Sequence, residues 1–369
     1  MKKIFISLLA VAALAACTKS EVQYEPAGEI GFAMVAGNIT KAPVDGTVYP
    51  ESLNMYVNAY VHATTAPTAP DYINNGEFEH RKDQVEGKEV WGGKTPYYWP
   101  NEQTLHFSGY SKSGSLTSAS YNPNTDVLTI TGYAPGEGTG LGANDLMWFP
   151  STKYTEPNGY GKLTPCVPVN MYHTCAWITF VIQGDATTGS STSSYKITSL
   201  TMNGLDLTAD VVCTGNANLK QSTLSDYVVW SNNQAQEEKY NVSVSTNATL
   251  ASTYLAENNT APKNIETGVA DNAETSSINE ANVGGNIVVI PQKPGSIDIA
   301  WTYKSTTTAD IPDSATGLSL KLTTDENDPN NVWLPGKHYV YTITIKANEI
   351  LIAPTPVDWT DGDFNVTVE

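Results

Sequence analysis

Leu53-Asn54-Met55-Tyr56-Val57-Asn58-Ala59-Tyr60-Val61 decides the fold class. Across these nine residues every odd position is apolar and the even positions carry Asn and Tyr, a period of two. Successive side chains of an extended chain point to opposite faces, so the pattern predicts a strand with one face in a core. The same alternation returns in Ile297-Asp298-Ile299-Ala300-Trp301-Thr302-Tyr303, in Leu318-Ser319-Leu320-Lys321-Leu322 and in Tyr339-Val340-Tyr341-Thr342-Ile343-Thr344-Ile345. Between such runs lie turn clusters, among them Asn122-Pro123-Asn124, Asn327-Asp328-Pro329-Asn330-Asn331 and Pro335-Gly336, whose residues supply a positive or a fixed φ. No segment carries convincing helical spacing. Many short strands with frequent punctuation predict an all-β chain of sandwich domains.

The chain has 369 residues, enough for two domains at roughly 150 residues each once an N-terminal segment is set aside. Residues 184–194 and 234–285 are poor in apolar side chains and read as long loops, the second able to hold a strand near 240–245. Pro165 and Pro168 precede the apolar run 176–182, which places the division between domains 42–165 and 166–369. Only 16% of residues are charged, against roughly 25% in an average soluble domain. The net charge is −18, or −20 once Lys2 and Lys3 are removed with the N-terminal segment. Such a surface repels a phosphate backbone, which argues against a nucleic-acid partner. Twenty Tyr, 8 Trp and 7 Phe supply too many apolar anchors for a disordered chain.

Lys2 and Lys3 lead into an apolar run over 4–16 broken only by Ser7, the charged and apolar regions of an export signal. Thirteen residues are too few to span a bilayer. Leu14-Ala15-Ala16-Cys17 resembles the bacterial lipobox, so residues 1–16 read as a lipoprotein signal and Cys17 as the acylated new N-terminus. At about 0.8 kcal/mol per buried methylene, several acyl chains hold a folded domain on a membrane without any spanning helix. Three cysteines then remain, Cys166, Cys175 and Cys213, which permit at most one disulfide and read more simply as small buried thiols. No Cys-x-x-Cys pair exists, so zinc is not expected.

The remaining motifs point away from catalysis. The glycine-rich stretch Gly136-Glu137-Gly138-Thr139-Gly140-Leu141-Gly142 lacks a Walker Lys and opens no helix, so it reads as a loop. The acidic runs 325–328 and 358–363 lack the spacing of a complete calcium loop. Five histidines are scattered, with His173 expected as a packed or hydrogen-bonded side chain, and no Ser sits in a Gly-x-Ser-x-Gly elbow. Neither an enzyme activity nor a cofactor nor a metal is expected. One binding hypothesis stands beside core packing: Trp91, Tyr97, Tyr98, Trp99, Trp148 and Phe149 as a flat platform for sugar rings, in a permanently lipidated glycan-binding surface protein.

A series of segments along nearly the whole chain resembles the fimbrillin family of the Bacteroidales, the type V pilins and their accessory subunits. After the lipobox come Glu29-Ile30-Gly31-Phe32, Ser52-Leu53-Asn54-Met55-Tyr56-Val57, Pro96-Tyr97-Tyr98-Trp99-Pro100 and Leu105-His106-Phe107-Ser108-Gly109-Tyr110-Ser111. They continue with Asn144-Asp145-Leu146-Met147, His173-Thr174-Cys175-Ala176-Trp177-Ile178-Thr179-Phe180, Trp333-Leu334-Pro335-Gly336-Lys337-His338-Tyr339-Val340-Tyr341 and Val357-Asp358-Trp359. The resemblance implies two transthyretin-like β-sandwich domains in tandem, with no catalysis. It further implies a fimbrial subunit supporting adhesion, delivered to the outer membrane on the lipid of Cys17 and partnered by other fimbrial subunits.

The resemblance also implies a route of assembly. A trypsin-like surface protease would cut between Lys41 and Ala42, where Lys stands in place of the more usual Arg and Pro43 lies two residues on. Residues 17–41 would then be a propeptide whose first strand, 29–35, is provisional and carries Ile30 and Phe32 on one face. Its place would be taken by a strand from the tail of another subunit, about residues 349–369, with Ile350, Leu351, Ile352, Val357 and Trp359 as contact residues and Phe364-Asn365-Val366-Thr367-Val368 beyond them. Pro354 and Pro356 are expected to split that tail into two pieces.

Overall fold

A computed structural model of the chain describes residues 28–34, 49–62, 65–81, 89–100, 103–135, 145–155, 166–184, 193–215, 219, 221–231, 238–242, 249–251, 264–265, 287–305, 318–324, 330–345 and 350–358. The strands begin β1 (Gly31–Met34), β2 (Met55–Val61), β3 (Ile73–His80), β4 (Trp91–Gly93), β5 (Thr104–Ser111), β6 (Ser118–Asn122), β7 (Val127–Tyr133) and β8 (Met147–Thr155). Then come β9 (Val167–Val169), β10 (Tyr172–His173), β11 (Ala176–Gly184), β12 (Ser193–Leu205), β13 (Ala209–Thr214) and β14 (Val228–Ser231). The rest are β15 (Glu238–Val242), β16 (Thr249–Ala251), β17 (Asn264–Ile265), β18 (Ile287–Val289), β19 (Ser296–Ser305), β20 (Leu318–Lys321), β21 (Lys337–Ile345) and β22 (Ile350–Asp358). Among the described residues there is no α-helix, only a 3-10 turn at Gln221–Asp226. The chain is all-β.

An eight-stranded sheet has the order β10-β8-β5-β2-β3-β4-β1-β9, and a four-stranded sheet the order β14-β13-β7-β6. Two five-stranded sheets follow: β17-β11-β21-β22, with β18 also on β11, and β15-β12-β19-β20, with β16 also on β12. Phe32 of β1, Val57 of β2, Phe78 of β3, Trp91 of β4, Phe107 of β5, Phe149 of β8 and Val167 of β9 all belong to one buried cluster. In a flat sheet β8 and β9 would lie roughly 30 Å apart, at about 4.8 Å per strand, so a shared cluster requires the sheet to curl round its own core.

The opposite face of that sheet is covered too. Tyr60 of β2, Tyr110 of β5 and Trp148 of β8 join Tyr121, Leu128, Ile130, Tyr133, Val211 and Cys213 of the four-stranded sheet in a second cluster. β2 therefore has two buried faces where its alternation predicts one. Its polar even position is reconciled by hydrogen bonding, since the Asn75 N–H donates to Asn58 Oδ1 at 2.9 Å. In β7 the register slips, with Ala209 opposite Tyr133 and Val211 opposite Ile130. Gly132, at φ 60°, absorbs the extra residue and donates its N–H to Asp210 Oδ1 at 2.7 Å. That bulge keeps Leu128, Ile130 and Tyr133 all inward despite their unequal spacing.

Strand pairing crosses the division expected at residue 165. β9 and β10 complete the eight-stranded sheet, and β13 pairs with β7 while β14 pairs with β13. Residues 209–231 thus return to the first unit after β11 and β12 have entered the other two sheets. Nothing local in that stretch records its distant partner, and only the long-range ladder reveals it.

Candidate functional site

The most distinctive site is the position of the first strand. β1 lies inside the eight-stranded sheet, between β4 and β9. It pairs antiparallel with β4 through Gly31↔Gly92 and Phe32↔Trp91. On its other side it pairs parallel with β9 through Phe32↔Val167, Ala33↔Pro168 and Met34↔Val169. The segment before it is clasped as well: the Ile30 N–H donates to the Tyr97 carbonyl at 2.8 Å and the Trp99 N–H to the Gly28 carbonyl at 3.0 Å. Glu29 bridges to Tyr98.

Alternation sends Ile30 and Phe32 inward, where both are fully buried. The Phe32 ring meets Phe78 at 5.0 Å and Phe107 at 5.2 Å, both nearly perpendicular, and Phe149 at 6.0 Å. Each burial contributes about 1.5–3 kcal/mol, and each edge-to-face pair about 0.5–1.5 kcal/mol more. Without β1 the curled sheet would have two unpaired edges facing each other across an apolar groove. Cys17, Val35, Lys41 and Ala42 lie outside the described residues.

The expected tail strand is a resident of its own chain. β22 carries Ile350, Leu351, Ile352 and Val357 and pairs antiparallel with β21 through nine residue pairs, from Ile345↔Ile350 to Lys337↔Asp358. It ends its sheet. Trp359 and the residues after it lie outside the described ones. Pro354 and Pro356 do not split the strand, because the ladder runs through both, opposite Tyr341 and Tyr339. Residues two apart present their nitrogens to the same side, and an edge strand has one side that needs no donors.

A family model described as fimbrillin-like matches residues 40–359, most of the chain. The chain belongs to the fimbrillin-like family. Among solved structures it is similar to a fimbrial protein from Bacteroides vulgatus ATCC 8482, at 12% identity over 90% of this chain and 99% of that one, with a TM-score of 0.53. It is also similar to a fimbrilin from Porphyromonas gingivalis W83, at 12% identity over 91% and 98% with a TM-score of 0.39. A third likeness is to a fimbrial assembly protein from Parabacteroides distasonis ATCC 8503, at 9% identity over 90% and 97% with a TM-score of 0.36. The first of these likenesses supports a shared fold. No curated protein matches the chain.

The aromatic platform does not exist in this fimbrillin-like chain. Trp91, Trp99, Trp148 and Phe149 are buried in the two cores, and Tyr97 is half-buried and stacked on Phe78 at 5.7 Å. Only Tyr98, at 46% exposure, is open to a ligand, and one ring makes no platform. These rings are large apolar residues on inward positions, and a curled sheet with both faces covered has room for them.

His173 and His338 are buried structural side chains. His173 is fully buried in β10, its Nδ1 against the Asp145 carboxylate. Around that pair the Ser111 hydroxyl donates to the Asp145 carbonyl at 3.0 Å and accepts the Met147 N–H at 2.8 Å. His338 is stacked on Trp177 at 3.4 Å, with Nε2 3.0 Å from Thr179 Oγ1, and burial lowers its pKa to about 3. Cys175 and Cys213 are buried thiols whose pKa values burial raises. No disulfide joins the described cysteines.

Two features of the site left no readable sign in the sequence. β9, the parallel neighbour of β1, is three residues with a proline in the middle. Glu51, His80 and Glu89 converge at the surface, where the His80 Nε2 meets a Glu89 oxygen and its Nδ1 lies 3.9 Å from Glu51. Each ring nitrogen faces a different carboxylate.

Proposed function

We propose that the chain is a structural subunit of a cell-surface fimbria that supports adhesion, assembled by replacement of β1 with a strand from a second subunit. The observation that carries this reading is a first strand laddered on both sides and plugging the core with Ile30 and Phe32. The family match supports it by beginning at residue 40, so that β1 stands outside the common region and Lys41 beside its start. On this reading Cys17 holds the precursor on the outer membrane and a trypsin-like protease cuts after Lys41. β1 leaves with the lipid, and the tail of another subunit enters the opened groove. The sheets read as two transthyretin-like sandwiches in tandem, the first taking in residues 209–231.

Donation by Ile350–Ile352 requires β22 to leave β21, whereas donation by residues beyond 358 does not. The N-terminal residue of the protein isolated from the cell surface tests the processing step. Ala42 in filaments is the expected result, and acylated Cys17 in filaments would overturn it. The glycan-binding alternative has lost the rings it relied on.

A further inference from the structure

The sheet around β1 is asymmetric. On one side β4 stands without help from β1: it pairs with β3 through Phe78↔Gly93, Glu79↔Gly92 and His80↔Trp91. That ladder is extended at its two ends by the Arg81 N–H on the Val90 carbonyl and the Lys94 N–H on the Glu77 carbonyl, both 2.8 Å. On the other side β9 is the last strand of the sheet, and among the described residues its one ladder is the three pairs with β1.

Pro168 has no N–H and sits where a sheet tolerates proline, on an edge with its nitrogen outward. The N–H groups of Val167 and Val169 then point the other way, toward β1, because successive backbone groups alternate sides. Val167, Val169 and Met171 put their side chains into the core that Phe32 fills. Immediately afterwards the anchoring changes. Tyr172 and His173 pair with Trp148 and Met147 of β8, and His173 is held by Asp145.

We infer that β9 is a flap, hinged between Met171 and Tyr172, that closes over whichever strand occupies the β1 position. This rests on the reading that β1 is exchanged. Once β1 leaves, residues 167–169 have lost that ladder while β4 keeps β3. The incoming strand adds first to the open edge of β4, as in ordinary β-augmentation. β9 then folds down on it, re-forming the parallel ladder and returning Val167 and Val169 to the core. A groove with two fixed walls would force end-on threading; a flap admits the strand from the side.

β1 and β9 must therefore open together as one cooperative unit. Native-state hydrogen exchange on the intact chain reads this without any cleavage. The amides of Gly31–Met34 and of Val167 and Val169 should share one opening equilibrium, at least tenfold more open than that of β3. In the full chain carrying Phe32→Ala, exchange should accelerate by the same factor in β1 and β9 and remain unchanged in β3. If that variant does not fold, the wild-type exchange alone decides. Val167 and Val169 staying protected while β1 opens would overturn the flap and leave strand exchange standing. Normal filaments from an uncleavable chain would overturn strand exchange in assembly and leave the co-opening standing.

Discussion

On the proposed reading Ile30 and Phe32 carry the self-closing of the precursor, and their consequences differ before and after processing. Phe32→Ala removes a ring wedged among Phe78, Phe107 and Phe149, a truncation of the kind that costs about 3–5 kcal/mol. It should lower the melting temperature of the uncut chain and leave that of the chain cut after Lys41 and freed of its first strand unchanged; calorimetry of both forms reads the difference. His173 is a second test. His173→Ala leaves the buried Asp145 carboxylate without its ring partner and should cost about 3 kcal/mol in urea unfolding. His173→Asn, whose amide nitrogen reaches the Nδ1 position, should recover part of the loss. His338 sets an acid response. Its pKa falls from the ordinary 6.5 to about 3 in the folded chain, so the unfolded chain binds the extra proton first. Its contribution is fully present above pH 6.5 and is lost as pH falls from there toward 3, by up to a few kcal/mol. The stability difference between wild type and His338→Gln, followed by urea unfolding from pH 7 to 4, should shrink accordingly; a pH-independent difference would contradict it.

At the scale of elements, β22 separates two roles that the tail sequence runs together. Truncation after Asp358 keeps the nine-pair ladder with β21 and should leave monomer melting unchanged, while truncation before Ile350 bares β21 and should lower it by several degrees. If only the longer truncation stops filaments, donation lies within residues 350–358; if both do, it lies beyond them. The strands that alternation predicts are found: 53–61 appears as β2, 297–303 within β19, 318–322 as β20 and 339–345 within β21. β9 and β10 were not legible, because segments of three and two residues carry no period and exist only through their partners. The same holds for the site. The inward pair Ile30 and Phe32 could be read from alternation, but the parallel neighbour Val167-Pro168-Val169 looks like a proline-broken connector until its ladder with β1 is seen. The prolines of β22 misled for a related reason, since their effect depends on which edge of the strand needs donors.

For the whole molecule, the account is a precursor that cannot polymerise because its groove is filled from within. Cys17→Ala should abolish acylation and surface delivery without changing the stability of the folded units, since acylation acts on location alone; fatty acid still incorporated into that variant would contradict the anchor. On the proposed reading, cleavage after Lys41, at the start of the region that the family model matches, converts a closed monomer into one with an open groove and a spare tail. Electron microscopy of cells producing only the Lys41→Ala chain tests this most directly. The account predicts acylated monomers with β1 in place and no filaments; filaments of normal length from that chain would contradict it.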